Sequence, residues 1–260
     1  MKSLRKTIDI LDCLSDVNRD VGITELGLRL NLPKSTVHRI LKVLLDYSIV
    51  EQEKDTSKYR MGLSLLKYSS SLLRSFDIRK IAKPILEKIC NETGETTFLT
   101  IWKNNQGICI DSNFSSQNIN TNLFVEIGRE MPFHCTASSK VILANQPTED
   151  VKRIISKEPL LKYAPNTITE PGKLIINLLE IKNKGYAICD EELEEGIKAV
   201  AAPIKDINGK TIASIAITGL SKRMSSDNIE RLIKILTNFA QEMSNKLGYK
   251  EEIILKNTNW

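Results

Sequence analysis

The sequence predicts an α+β protein in two parts. An N-terminal winged helix–turn–helix is followed by a helical linker and then by a domain built on an antiparallel sheet with helices. Three observations predict it. Residues 32–45 carry an apolar stripe with polar donors gathered at one end. Two short extended segments flank the polar tip Lys54-Asp55-Thr56-Ser57. Beyond residue 95, strand-like hairpins precede and follow three helical stretches, an order that reads as a mixed domain rather than a parallel α/β one.

The chain begins with a helix over about 4–17, with Leu4, Ile8, Leu11 and Leu14 at helical spacing, read as support for the helical pair after it. A short helix over 23–31 has Thr24 as its candidate N-cap and Ile23, Leu26 and Leu30 on its apolar side. Asn31 falls where the chain must turn sharply, a place for left-handed backbone that Asn tolerates. Gly27 has no β-carbon and permits a close approach. Pro33 suits the first position of the next helix. In that helix Val37, Ile40, Leu41 and Leu44 lie at i, i+3, i+4 and i+7, and Lys34, Ser35, Thr36, His38 and Arg39 are left facing outward. A helix anchored on one side and offering donors at its N-terminal tip has the form of a recognition helix. Residues 49–53 and 58–62 then read as two strands of a wing, on which Lys58 and Arg60 are candidates for backbone phosphates.

Residues 63–74 form an unbroken serine-rich helix ending near Phe76, either a linker or a core helix of the first domain. The composition changes after it, which favours the linker. A helix over 78–93 comes next, with Ile81, Ile85, Leu86 and Ile89 on one side and Gly94 closing it. Residues 96–102 and 107–111 flank Lys103-Asn104-Asn105-Gln106 as a hairpin. Residues 197–205 and 210–218 flank Asp206-Ile207-Asn208-Gly209, where Asn-Gly signals a type I′ turn. Helices are expected at 135–145, 148–156 and 171–184, and a last amphipathic one at about 226–247. The domain boundaries expected are 1–63, 64–76 and 77–248, with a loosely held tail over 249–260.

Composition narrows the classes. At 41% hydrophobic and 27% charged over 260 residues, the chain is ordinary for a globular protein of one large or two smaller domains. No apolar run approaches a membrane span, and the N-terminus lacks the apolar region of a signal peptide, so a cytoplasmic protein is expected. Five cysteines without a C-x-x-C pair argue against a disulfide framework or a Cys-rich zinc module. Residues 1–75 hold 13 Lys and Arg against 9 Asp and Glu, while the remainder holds 24 against 23. The excess positive charge therefore accompanies the helix–turn–helix, where phosphate neutralisation needs it.

Two stretches of the second domain carry candidate chemistry. In residues 131–144, a loop of small residues runs into an apolar helix. Backbone N–H groups at such a helix start suit a small carboxylate, although Thr136 or Ser138 would equally serve as a plain cap. The acidic run 190–195, preceding Gly196-Ile197, reads alone as a solvated loop.

Taken together, Leu32-Pro33-Lys34-Ser35-Thr36-Val37-His38-Arg39 and Lys58-Tyr59-Arg60-Met61-Gly62 resemble the winged helix–turn–helix of IclR-type transcriptional regulators. His134-Cys135-Thr136-Ala137-Ser138-Ser139-Lys140, then Glu191-Glu192 with Gly196-Ile197 and Ala201-Ala202-Pro203-Ile204, resemble the effector-binding domain of the same family, in the expected order. The resemblance spans about residues 4–247. It implies a GAF-like domain with a pocket between the sheet and the turn at 134–140. Backbone N–H groups near Ala137 and Ser138 would hold a carboxylate, and Cys189, Ala199, Ala216 and Thr218 would supply further contacts. Only Thr218 of these keeps a hydroxyl, so a small keto acid is disfavoured and a larger or more apolar acid is expected.

Rival readings are thinner. Of two histidines, His38 sits in the recognition helix, and Ala137 stands where a Ser-x-x-Lys nucleophile would need serine, so a hydrolase-type enzyme is disfavoured. His134, Cys135 and Cys189 lack metal-ligand spacing, and neither a metal nor another cofactor is expected. A DNA-binding protein whose second domain only oligomerises stays open. The reading is a ligand-responsive regulator, more often a repressor, of a catabolic operon. Its partners are operator DNA, a small organic acid and further copies of itself, as a homodimer or homotetramer. Arg39, Thr36 and Ser35 are expected to read bases, and Lys34, His38, Lys58 and Arg60 to touch phosphates.

Overall fold

The computed structural model describes residues 2–17, 19–74, 76–115 and 125–250, and the chain divides into two compact units at the Phe76–Asp77 junction. All but the first two residues of the expected tail at 249–260 lie outside the described residues.

In the first unit, α1 (Lys2–Asp16), α2 (Ile23–Arg29) and α3 (Lys34–Asp46) precede a two-stranded antiparallel sheet of β1 (Val50–Gln52) and β2 (Tyr59–Met61). Ile10 and Leu14 of α1, Leu26 of α2 and the stripe Val37, Ile40, Leu41 and Leu44 of α3 close on Val21, Val50 and Tyr59 in one apolar core. Burying side chains of this size stabilises by roughly 1.5–3 kcal/mol each before entropy is counted, which pins α3 by one face. Val21 and Tyr59 exchange backbone hydrogen bonds of 2.8 Å, tying the segment before α2 to the wing. Between α2 and α3 the turn is as expected: Asn31 is left-handed, at φ 51°. A β-carbon at Gly27 would stand 2.9 Å from the Leu32 carbonyl oxygen.

Two local expectations change. The residue before α2 is Gly22, in extended conformation and without a side-chain cap, so Thr24 lies inside the first turn and does not cap it. Pro33 is the residue flanking α3, one place earlier than expected. Helix α4 (Leu65–Arg74) has no buried side chain among its described residues, and Leu66, Tyr68 and Leu72 are exposed, so it is not a core helix of this unit. Its start is fastened to the wing region, where Ser64 Oγ donates to the Ser48 carbonyl at 2.6 Å.

The second unit is a six-stranded antiparallel sheet in the order β5-β4-β3-β8-β7-β6. Its strands are β3 (Thr96–Lys103), β4 (Gln106–Asn113), β5 (Glu130–Met131), β6 (Ala187–Asp190), β7 (Ile197–Lys205) and β8 (Thr211–Leu220). Helices α5 (Asp77–Thr93) and α9 (Ser226–Lys246) cover one face. On the other lies α6 (Ala137–Ala144), which also packs on α8 (Pro171–Lys184); α7 (Thr148–Lys157) connects them in sequence. The β3–β4 hairpin turns on Asn104 and Asn105, both left-handed as a type I′ turn demands.

The β7–β8 turn departs from expectation. Gly209 N–H bonds to the Asp206 carbonyl, Gly209 alone is left-handed, and the register shifts beside Lys205. That is a type I turn followed by a left-handed residue in a bulge, one residue too long for the type I′ form. Asp206 accepts from the N–H groups of Asn208 and Lys210 at 2.9 and 3.0 Å, which favours the longer turn. Tyr249, expected to lie in a loose tail, is buried, with the Lys205 ammonium 5.1 Å from its ring centroid.

The α6 face of the sheet is built from small residues. Across β6, β7 and β8, Ala187 pairs with Ala201, Ala201 with Ala216 and Ala199 with Thr218, and Ser214 lies two residues before Ala216 on β8. Their lack of bulk lets the fully buried α6 lie close to the sheet.

Candidate functional site

The DNA-facing candidates are set by how α3 is pinned. With its stripe buried, Lys34, Ser35, His38 and Arg39 are exposed and Thr36 half-buried. No side chain caps the helix start, so the positive end of the backbone dipole is left for an anion. Lys58 is exposed at the wing. Arg60 is placed differently: its guanidinium lies 3.2 Å from Glu53, 3.5 Å from Glu51 and 3.7 Å from Asp20. Three carboxylates share its charge in the free chain, so, unlike Lys58, it would meet a phosphate only in competition with these surface pairs. Arg19 and Arg29 are similarly held, both by Glu25, at 2.7 and 2.9 Å. Sequence alone groups Arg60 with Lys58 because it does not show which charges are already paired.

In the second unit a cavity of about 40 Å³ opens at the N-terminal end of α6. A single water needs roughly 10–15 Å³, so this space takes more than one water-sized group. Its wall includes Ala137, Cys189, Ala199 and Thr218 from the predicted set. Phe98, Val125, Met131, Leu193 and Ile197 make it largely apolar, with Glu194 and Lys198 as its charged members. Two predicted residues do not line it. The Ser138 side chain is fully buried outside the lining and its backbone carbonyl accepts from Ser214 Oγ at 2.9 Å, while the group expected of it, the backbone N–H, lies in the first turn of α6. Ala216 pairs with Ala201 one repeat further along the sheet and belongs to the same apolar cluster as Val141, under the body of α6. The sequence signal separating Thr218 from Ala216 is weak, since both lie on the same face of β8.

The start of α6 is both capped and open. Thr136 Oγ1 accepts from Ser139 N–H at 3.4 Å and donates to the Pro132 carbonyl at 2.8 Å. The first two helical N–H groups, those of Ala137 and Ser138, have no partner one turn earlier in the helix. The cap and the anion site, read as alternatives from the sequence, are therefore compatible.

Around this helix start the structure brings together residues that sequence reasoning missed. Lys140 is fully buried, its ammonium 2.6 Å from Glu192 and 3.1 Å from the Asn177 amide oxygen. Thr167 Oγ1 donates to the Glu192 carbonyl at 2.6 Å. This pair ties the loop between β6 and β7 to α6 and α8. Burial pushes the Glu192 carboxyl up and Lys140 pulls it back. The thiols facing the cavity are inert: burial lifts Cys189 to about 12 and raises Cys135 as well. Neither is a thiolate at neutral pH, as a nucleophile or metal ligand requires. His134 Nε2 donates to the Leu161 carbonyl at 2.8 Å, and burial depresses its basicity. Among the described residues no group of His, Cys, Asp and Glu is disposed to hold a metal, and no helix is long and apolar enough to cross a membrane.

A winged helix with an outward, donor-rich recognition helix, joined to an α+β unit with a small cavity, defines a DNA-binding transcriptional regulator. Residues 3–54 match the IclR helix-turn-helix domain, and residues 70–245 match the bacterial transcriptional regulator IclR C-terminal domain. The chain belongs to the IclR family, whose members are transcriptional regulators and not enzymes. It is 31% identical to the HTH-type transcriptional regulator KdgR of Dickeya chrysanthemi, over 96% of this chain and 81% of that one. Several matching relatives bear the name repressor. The Thermotoga maritima IclR crystal structure superposes with a TM-score of 0.78 at 35% identity, over 96% of this chain and 100% of that one. An IclR homologue of Microbacterium hydrocarbonoxydans complexed with 4-hydroxybenzoate shares the fold, with a TM-score of 0.78 at 24% identity over 94% and 98% of the two chains.

Proposed function

We propose that this protein is a repressor whose second unit binds a small, mostly apolar organic acid and thereby alters operator binding by the first. The observation that carries the proposal is the apolar cavity at the open start of α6. A carboxylate there meets the Ala137 and Ser138 N–H groups, and its body lies against Phe98, Val125 and Met131. The 4-hydroxybenzoate bound by a homologue of the same fold is consistent with an acid of this kind. The regulated operon would be one that consumes the acid, and the repressor names among relatives favour that sign of control.

Arg39, Thr36 and Ser35 are proposed to read bases, with Lys34, His38 and Lys58 on phosphates. Exposed Leu4 and Ile8 of α1, with Leu63, Leu66 and Leu72 at α4, support a homo-oligomer in which a second copy covers them. Two recognition helices would then enter successive major grooves.

The test is a thermal-shift screen of the purified chain against aliphatic, hydroxy, sugar and aromatic acids. A ligand at 100 times its Kd stabilises by about 2.7 kcal/mol, which for a unit of this size is a rise of roughly 5–11 °C. Ala199→Phe, which fills the cavity, should abolish the shift, while Arg39→Ala should keep it. A shift that survives Ala199→Phe places the ligand elsewhere and overturns the proposal. The hit should also lower the affinity for a DNA fragment selected from a random pool; an affinity unchanged by ligand refutes the regulatory link.

A further inference from the structure

Four lining side chains of the cavity carry a polar nitrogen or oxygen: Thr136, Glu194, Lys198 and Thr218. Three are engaged. Thr136 caps α6 and bonds to Pro132. Thr218 Oγ1 donates to the Lys198 carbonyl at 3.2 Å. The Lys198 ammonium sits 3.1 Å from Asp190. Glu194 stands apart, because its Oε2 is shut off from solvent and has no hydrogen-bond partner among the described residues.

The loop holds it in that position. Glu191 at one end is left-handed at φ 56°, and Gly196 at the other has φ 78°. The Gly196 N–H donates to the Glu191 carboxylate at 3.0 Å, and Glu192 is locked to Lys140. Between these anchors Leu193 and Glu194 both enter the cavity wall. A carboxylate on a free surface loop satisfies both oxygens with water, whereas half-buried Glu194 has one of its two, Oε2, shut off from water in a wall shared with Phe98, Leu193 and Ile197. Burial accordingly holds its acidity below that of an ordinary glutamate, with the Arg129 charge opposing. An unpartnered acceptor in such surroundings is costly until a donor reaches it.

We infer that Glu194 is a specificity-determining residue, accepting a hydrogen bond from a hydroxyl or protonated amine on the effector. The effector class is then an organic acid bearing a second, donor group, in place of a plain fatty or keto acid. The inference rests on the cavity being the effector site. An ionised carboxylate only accepts, so it rewards donors and rejects an analogue that lacks one and leaves the oxygen buried.

The experiment is calorimetric titration of the full chain with matched acids: butyrate, 3-hydroxybutyrate and 3-aminobutyrate; 3-phenylpropionate, 3-phenyllactate and phenylalanine; benzoate and 4-hydroxybenzoate. In at least one series a donor-bearing member should bind about tenfold or more tighter than its donor-free partner. Glu194→Leu should bring that ratio within about twofold while leaving the donor-free acid bound as before. Glu194→Gln, which keeps the shape and an accepting oxygen, should retain a preference for hydroxyl and lose one for ammonium. Equal binding within every series, or a preference that survives Glu194→Leu, overturns the role of Glu194 and leaves the cavity reading standing. Silence from every acid in the wild-type chain overturns both.

Discussion

Replacing Lys140 with methionine removes the cation that, among the described residues, pairs with Glu192, a carboxylate that the fold has taken largely out of water. The Lys140 side chain is fully buried, and that of Glu192 is 10% exposed. Among the described residues Glu192 Oε2 makes no side-chain hydrogen bond, so Lys140→Met would leave the carboxylate without its cation and Asn177 Oδ1 without its donor. Breaking a buried pair from one side costs about 3–5 kcal/mol, which in a unit of this size lowers Tm by roughly 6–20 °C. Lys140→Met with Glu192→Leu should recover most of the loss, since apolar replacement of both partners removes the uncompensated charge.

Differential scanning calorimetry would follow the transition of the second unit, with that of the first unit as an internal control. The loss should also shrink on acidification. Burial raises the Glu192 carboxyl in the folded state even with Lys140 present, and without Lys140 it rises further. A carboxyl raised on folding binds more protons in the native state than in the unfolded one between its two values. Stability in that window therefore falls as pH rises and returns as pH drops toward the ordinary glutamate value. A loss below about 1 kcal/mol, or a double variant no better than the single one, would refute the account of Lys140 as a buried structural cation.

The DNA-facing residues separate by salt and sequence. Arg39→Ala should weaken binding to a selected operator by roughly 1–3 kcal/mol and relax specificity at one base, and an equal loss on random DNA would make it a phosphate contact. Lys58→Ala should weaken binding to all sequences alike and reduce the log–log salt slope by about one. Arg60→Met should leave that slope unchanged, because Asp20, Glu51 and Glu53 already match its charge; a change like that of Lys58→Ala would return it to the phosphate contacts. A thiol reagent at pH 8 should react promptly with half-buried Cys13 alone, while Cys109 and Cys189, pushed up to about 12, respond only on unfolding.

The features legible in the sequence are those that are local or periodic. The stripe of α3 is buried as its spacing requires, and Asn31 takes the left-handed conformation that a sharp turn imposes. Thr24 misleads because helix entry is set by Gly22 and Ile23, which place it inside the first turn. Asn208-Gly209 misleads because turn type depends on the number of residues between the last paired positions, which composition does not give. The cavity is legible to within one sheet repeat. Ala216 and Thr218 share a face, and which of them lies beneath α6 is decided by how the helix seats on the sheet. Pairings across the chain are out of reach. Lys140 and Glu192 are 52 residues apart, and nothing in the run 190–195 distinguishes Glu192, buried in a pair, or Glu194, facing the cavity, from the solvated acids beside them.

A ligand changes operator binding only if it binds one state of the regulator more tightly than another. The β6–β7 loop is where such a difference can be stored. Its ends are left-handed, its Glu192 is tied through Lys140 to α6 and across to Asn177 on α8, and its Leu193 and Glu194 form part of the cavity wall. With the effector in this cavity, as proposed, stability and ligand affinity would share one set of contacts. Lys140→Met should lower both together, because the loop that it anchors carries wall residues. Ala199→Phe fills the cavity from a strand that the sheet holds in place, so it should lower affinity with little change in the Tm of the free protein. If Lys140→Met instead lowered Tm and left the affinity for the screened acid within about twofold at a temperature where the variant is folded, the loop would be a structural clasp and the ligand's effect would have to act through the sheet or α6 alone.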